Sequence, residues 1–322
     1  MRARFALALV FLGLGCSSKG HAEATSSQPA ARETAPSASQ NAARTEAPSA
    51  PAAPSVLPDW PALPAGKPGK PPAVTTYKRI KEPTLVIFFG TWCGGCVASV
   101  LSDAELAKQF SPKVRVGLAL MADTDAKFGE FARGLEVPLA IDVWSDNPAT
   151  RELKELCDIH GLPMSCLVDA DHKVLWRGEP GSARKILTAM ENGRIDQAVA
   201  ASKEVVDIVD KARAAPDDKT LRARAVAAAA GLGGYENSVA WPLVEKGEAL
   251  DLAVALARDS TIATGGLDFA SLDTYAFGLW KLGHKEQAVA AAKRGMDVCD
   301  ALKASCTEER GRYEELKAAL KK

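Results

Sequence analysis

Between residues 73 and 198, apolar runs of strand length alternate with longer stretches whose apolar positions recur at helical spacing. Residues 74–80 read as an extended segment at the start. Leu85-Val86-Ile87-Phe88-Phe89 is a continuous apolar run stopped by Gly90, the pattern of a strand buried on both faces. Residues 97–110 then read as a helix, 114–120 as a second buried strand and 125–134 as a helix. Residues 137–141 form a short apolar stretch, and 148–158 a helix opened by Pro148. A loop at Pro163, a hairpin turning at Ala170-Asp171-His172 and a closing helix over 182–192 complete one sheet-containing domain, 73–198.

From residue 199 onward alanine dominates and the strand pattern ends, so 199–322 is expected to be helical throughout. Setting 238–257 over 274–292 places Ala240 on Ala276, Leu243 on Leu279 and Gly247 on Gly283 at a shift of 36. Ala253, Val254 and Ala257 fall on Ala288, Val289 and Ala292 at a shift of 35. This period, with Leu272, Tyr275, Ala276, Leu279, Gly283 and Ala288 in the second unit, resembles tetratricopeptide repeats. Pro242 departs from that pattern and is expected to kink or restart its helix. A capping helix is expected over 308–320. The region reads either as an appendage shielding the sheet domain or as a surface that binds a peptide or partner protein.

The N-terminus changes the picture by setting a compartment. Arg2 and Arg4 precede an apolar stretch from Phe5 to Leu14, too short to span a membrane and suited to a secretory signal. Its end, Gly13-Leu14-Gly15-Cys16, resembles a bacterial lipoprotein signal, which implies cleavage after residue 15 and lipid on Cys16. The alternative is an ordinary signal cleaved nearby. The expectation is an exported protein, lipid-anchored on the periplasmic side of a bacterial membrane. Residues 16–72 are rich in Ala, Pro and Ser, nearly free of large apolar side chains, and read as a disordered tether.

The 322 residues are 47% hydrophobic, enough for two ordinary cores, and 40 basic residues balance 40 acidic ones. With no net charge, nucleic-acid binding is not expected. Seven cysteines leave six if Cys16 is lipidated. Neighbours in sequence suggest Cys93 with Cys96, Cys157 with Cys166 and Cys299 with Cys306, among fifteen connectivities. Cys157, Cys166, Cys299 and Cys306 are candidates for structural disulfides, with unpaired thiols as the alternative.

The chemistry concentrates in Thr91-Trp92-Cys93-Gly94-Gly95-Cys96, delivered by the apolar strand and followed by a helix. Orphan N–H groups and the helix dipole at such a terminus favour a thiolate over a thiol. A cysteine thiol near pKa ~8.5 can fall there to roughly 3.5–7.5. Together with Gly161-Leu162-Pro163 downstream, these residues resemble the thioredoxin family. The resemblance implies a thioredoxin-like α/β fold, a mixed sheet flanked by helices, ahead of the all-α tetratricopeptide-like region. It also implies a cis-proline at Pro163 beside the cysteine pair. Cys93 is then the nucleophile and Cys96 the resolving thiol, while Trp92 forms the rim and Leu162 and Pro163 meet an extended substrate. No cofactor beyond the redox-active disulfide and no metal is expected, and Val97 excludes a c-type haem, which needs histidine after the second cysteine.

The chain departs from the family in three places. Gly94-Gly95 lacks the usual proline, Ile87 stands six before Cys93 where many relatives hold a buried acid, and Ser99 stands where some anchored relatives place glutamate. The proton acceptor for Cys96 is therefore not evident from the sequence. His160 reads as a surface residue. The expected function is an exported thiol–disulfide oxidoreductase exchanging with protein thiols or disulfides and served by a redox partner protein. The alternative is a partner-binding scaffold lipoprotein in which the thioredoxin-like domain is structural.

Overall fold

Six strands form one mixed sheet in the spatial order β1-β4-β3-β2-β5-β6 in a computed structural model that describes residues 57–64, 69–78, 82–215, 217–229 and 235–321. The signal segment 1–15, Cys16 and most of the tether 16–72 lie outside the described residues. The strands are β1 (Val74–Thr75), β2 (Thr84–Phe89), β3 (Arg115–Leu120), β4 (Asp142–Trp144), β5 (Met164–Val168) and β6 (Val174–Gly178). All six residues of β2 are buried. It pairs in parallel with β3, Thr84 opposite Arg115 through Phe89 opposite Leu120, and antiparallel with β5. Among its described residues, 74–78, the extended segment expected over 74–80 contributes two to the ladder, beside β4. Val137, Leu139 and Ile141 turn into the core without pairing, and the strand begins just after them at Asp142.

The alternation of side chains along β2 builds two cores. Leu85, Ile87 and Phe89 face one side, where α1 (Gly94–Phe110), α2 (Asp125–Gly134) and α4 (Pro180–Glu191) pack. Val86 and Phe88 face the other, covered by α3 (Pro148–Leu156) together with Trp144, Cys157 and Cys166. Local chemistry fixes the helix starts. Thr124 caps α2 through Lys127 N, and Asn147 with Thr150 forms a capping box before Pro148 at the head of α3. This is the thioredoxin-like α/β arrangement, a mixed sheet flanked by helices, and a helical region follows it.

That region comprises α5 (Ile195–Ala214), α6 (Lys219–Ala229), α7 (Tyr235–Lys246), α8 (Leu250–Ala263), α9 (Phe269–Lys281), α10 (Lys285–Leu302) and α11 (Thr307–Leu320). The aligned glycines occupy equivalent turns. Gly247 and Gly283 end α7 and α9 at φ +72° and +88°, where a side chain would be strained. Small residues set close approaches, since a Cβ on Gly278 would lie 2.6 Å from Val254 Cγ2. Pro242 does not interrupt its helix. α7 continues through it, held by Ala240 and Val244, which are buried against α8 and α9. Packing outweighs the lost backbone hydrogen bond there.

The core does not stop at residue 198. One apolar cluster contains Ile87 and Leu101 of the sheet part and also Phe269, Leu272, Met296, Val298 and Leu302 of α9 and α10. The tether expected to be featureless to residue 72 is anchored before its end. Leu57 and Trp60 pack on the helical core, Leu63 on the shared core, and Trp60 meets Tyr275 edge to face at 6.4 Å. Arg294 Nη2 donates to Pro61 O at 2.8 Å. Three large apolar residues in a short span are enough to dock a segment whose average composition reads as unfolded. Trp60→Ala should cost about 2 kcal/mol, below the 3–5 typical of fully buried rings because Trp60 is half-buried, as read by urea unfolding of the whole chain.

Candidate active site

Gly90 ends β2, and the chain turns through Thr91 and Trp92 into the first turn of α1. Cys93 is the N-cap residue, extended at φ −91° and ψ 105°. Its Sγ accepts from Cys96 N at 3.2 Å, and its carbonyl accepts from Val97 N. Cys93 and Cys96 are joined as a disulfide with α-carbons 5.2 Å apart. Cys93 is 8% exposed and Cys96 1%, so the first sulfur is the more accessible although neither is open. No acidic side chain occupies the first turn of α1 to oppose a thiolate.

The surroundings of the pair are built by residues that the motif alone does not reveal. Asp123, buried after β3, accepts from Thr91 N at 2.7 Å and fixes the turn. Trp92 is 62% exposed, yet its Nε1 donates to Met121 O at 3.2 Å, which holds the ring at the rim. The Leu162–Pro163 bond is cis, and a Cβ on Gly95 would meet Pro163 Cδ at 3.2 Å. Gly95 therefore lets the proline ring close on the cysteine turn.

A cleft of about 640 Å³ opens on one side of this turn. Trp92, Gly94 and Val97 form one wall, and Phe269, Leu302 and Cys306 of the helical region form the other. A smaller cavity of about 170 Å³ lies on the second side, lined by Gly95, Pro163, Ser99, Asp103, Asp268 and Ser271 among others. Asp103 is 3% exposed and accepts from Ser99 Oγ at 3.2 Å. Burial pushes its carboxyl up to about 8, opposed by the Ser99 hydrogen bond and reinforced by the neighbouring charge of Asp268. Asp268 caps α9 by accepting from Ala270 N and Ser271, and burial raises its pKa as well. These carboxyls come from helices rather than from the strand position held by Ile87. The visible signal was Asp103 among apolar neighbours at 100, 101, 104 and 106.

Cys157, Cys166 and His160 lie apart from the pair. Cys157 and Cys166 are bridged, α-carbons 6.1 Å apart, tying the end of α3 to β5 within the core on the opposite sheet face. His160 is exposed and pairs with Asp158, whose pKa is lowered first by the Arg177 hydrogen bond and then by His160. Cys299 and Cys306 are bridged between α10 and α11, α-carbons 6.4 Å apart, and Cys306 reaches the large cleft. Cys16 lies outside the described residues.

No protein-family model matches the chain, and no curated protein matches it. Among solved structures it is similar to the pneumococcal exposed lipoprotein thioredoxin Etrx1 from Streptococcus pneumoniae strain TIGR4. That match has 19% identity and a TM-score of 0.31 over 35% of this chain and 87% of that one. It is also similar to a thiol:disulfide interchange protein of the thioredoxin family from Chlorobium tepidum TLS. There the identity is 16% and the TM-score 0.27 over 41% of this chain and 98% of that one.

The raised carboxyl makes a pH prediction. Asp103 binds its proton more tightly folded than unfolded, so its contribution to stability is intact below pH about 4 and is lost as the pH rises to about 8. Asp103→Asn should therefore gain on the wild type across that window, by up to ~1.4 kcal/mol per pH unit, and match it near pH 4. Urea unfolding at several pH values reads the difference; parallel curves would show that Asp103 titrates normally.

Proposed function

We propose that this protein is an exported thiol–disulfide oxidoreductase that exchanges disulfides with protein substrates through Cys93 and Cys96. The observation that carries the reading is the placement of Cys93 as N-cap of α1, with its sulfur on a first-turn N–H and Pro163 against Gly95 beside it. In the reduced form the Cys93 thiolate is favoured by the helix terminus and attacks a substrate disulfide. One substrate sulfur then bonds to Cys93 and the other leaves. Cys96, a helical turn further in, displaces the substrate sulfur from Cys93, closing the 93–96 bridge and releasing a substrate dithiol. The reverse sequence oxidises a substrate. An extended substrate segment lies across the cysteine turn, with its backbone along Leu162 and Pro163 on one side and an apolar group on Trp92 at the rim of the large cleft on the other.

Cys16 carries lipid in this reading, which places the catalytic part on the periplasmic side of a membrane with a redox partner protein to reset it. The paired helices α7–α8 and α9–α10 are tetratricopeptide-like in this reading, and the start of α9, the end of α10 and the start of α11 supply the second wall of the cleft. Reduction of insulin by the soluble part should be lost in Cys93→Ser; wild-type turnover no greater than that variant's would leave the scaffold reading. Cys96→Ser should accumulate mixed disulfides with substrate through Cys93, and Cys93→Ser few. Equal trapping by the two variants, read on non-reducing gels, would remove the assigned roles.

A further inference from the structure

The cleft beside Trp92 is walled on its far side by the start of α9 and the connection from α10 to α11, and the residue there with redox chemistry is Cys306, bridged to Cys299. Thr91, Trp92, Gly94 and Gly95, which flank Cys93 in the chain, line this cleft together with Cys306, and the two bridges on either side of it are alike. Each has one cysteine as the residue immediately before a helix, Cys93 before α1 and Cys306 before α11. In each that cysteine is the less buried one, 8% against 1% exposed for Cys93 and Cys96, and 7% against 0% for Cys306 and Cys299. All four sulfur-bearing residues belong to one apolar cluster. The third bridge, Cys157–Cys166, shares none of this: it lies in the other core, and neither cysteine precedes a helix.

The differences between the two bridges set a direction. Cys93 has the extended backbone usual for an N-cap and its sulfur caps α1. Cys306 is held at φ 30° and ψ 41°, in the left-handed region disfavoured for a residue with a Cβ, and its side chain caps nothing. Lys303, at the start of the same short connection, is also left-handed at φ 52°. Opening the Cys299–Cys306 bridge releases Cys306 to relax its backbone and to accept an orphan N–H of α11, so the dithiol form gains what the bridged form lacks. A pair whose reduced form is stabilised is the more oxidising one. Glu308 and Glu309 in the first turn of α11 oppose a thiolate at Cys306, whereas the first turn of α1 has no acid, which makes Cys93 the attacking sulfur.

We infer that Cys299–Cys306 is a second redox-active pair, which takes the electrons of the Cys93–Cys96 dithiol within the same chain. This rests on the redox role assigned above to Cys93 and Cys96. The Cys93 thiolate attacks Cys306 Sγ, forming a Cys93–Cys306 bond as the Cys306–Cys299 bond breaks, and Cys299 leaves as thiolate. Cys299 takes the proton of the Cys96 thiol, and the Cys96 thiolate then attacks Cys93 Sγ and expels Cys306 as thiolate. The dithiol 93/96 is oxidised to a disulfide, the disulfide 299/306 is reduced, and one proton passes from Cys96 to Cys299. The connection over residues 303–306 is the piece that moves to bring the sulfurs together.

The full mature chain carrying Cys96→Ser tests the step, because the intermediate cannot resolve. After incubation at pH 8, alkylation and non-reducing peptide mapping, a Cys93–Cys306 linked peptide should appear with an equal gain of alkylated Cys299, in a yield unchanged by dilution. An intact Cys299–Cys306 peptide throughout, beside alkylated Cys93, would overturn the inference while leaving Cys93 chemistry standing. Failure of Cys93 in that variant to react with a small aromatic disulfide would instead remove the underlying redox role, and this inference with it. In the wild-type chain, titration with mixtures of reduced and oxidised glutathione should open the 299–306 bridge at a more oxidising poise than the 93–96 bridge. The opposite order would overturn the proposed direction.

Discussion

Helix α1 has to be buried twice. Val100, Leu101, Leu106 and Phe110 are each 3% exposed or less, yet Ser102 and Asp103 on the same helix are also buried. One side of α1 rests on the sheet through the cluster built on Leu85, Ile87 and Phe89. The other side is covered by α9 and its cap at Asp268, across the small polar cavity. A helix covered on a single face leaves its polar residues in water; here the polar positions are enclosed and hydrogen-bonded locally, Ser99 with Asp103 on α1 and, on the covering helices α8 and α9, Ser260 with Ser271. The position of the cysteine pair, the shape of the cleft and the raised carboxyl all depend on this double coverage.

Much of the sheet part was legible in the sequence because its elements obey local rules. The apolar run at 85–89, the Gly90 stop and the Pro148 start each have a purely local cause, and the helix expected at 125–134 has the bounds Asp125–Gly134. The repeat alignment was legible for a similar reason, since Gly247 and Gly283 meet the same backbone demand at the ends of equivalent helices. Pro242 misled because its local cost is real but smaller than the burial of its neighbours on α7. The docked segment at 57–64 was missed because composition averages over fifty residues and hides three anchors.

The site divides in the same way. Cys93, Cys96 and Pro163 carry a spacing that sequence can display, and the helix terminus beneath Cys93 follows from the strand that precedes it. Asp123, Asp268 and the Cys306 wall of the cleft lie far from the motif in the chain and reach it only through tertiary packing, which no local pattern encodes. Asp103 stood in plain view on a helix of apolar neighbours. Its significance required knowing that the face it occupies is closed by a second set of helices.

That closure bears on how such a chain can change over generations. A sheet part cut at 73 and 198 and rejoined to a different set of helices would present Ser99, Ser102 and Asp103 to water or to unsuited neighbours, and Asp103 would lose the surroundings that hold its proton. The two parts are therefore poor candidates for recombination as separate cassettes. A lineage that exchanged the helical partner would have to rewrite one face of α1, the same helix that carries Cys96 and is capped by Cys93, so the partner and this helix are constrained to be inherited together.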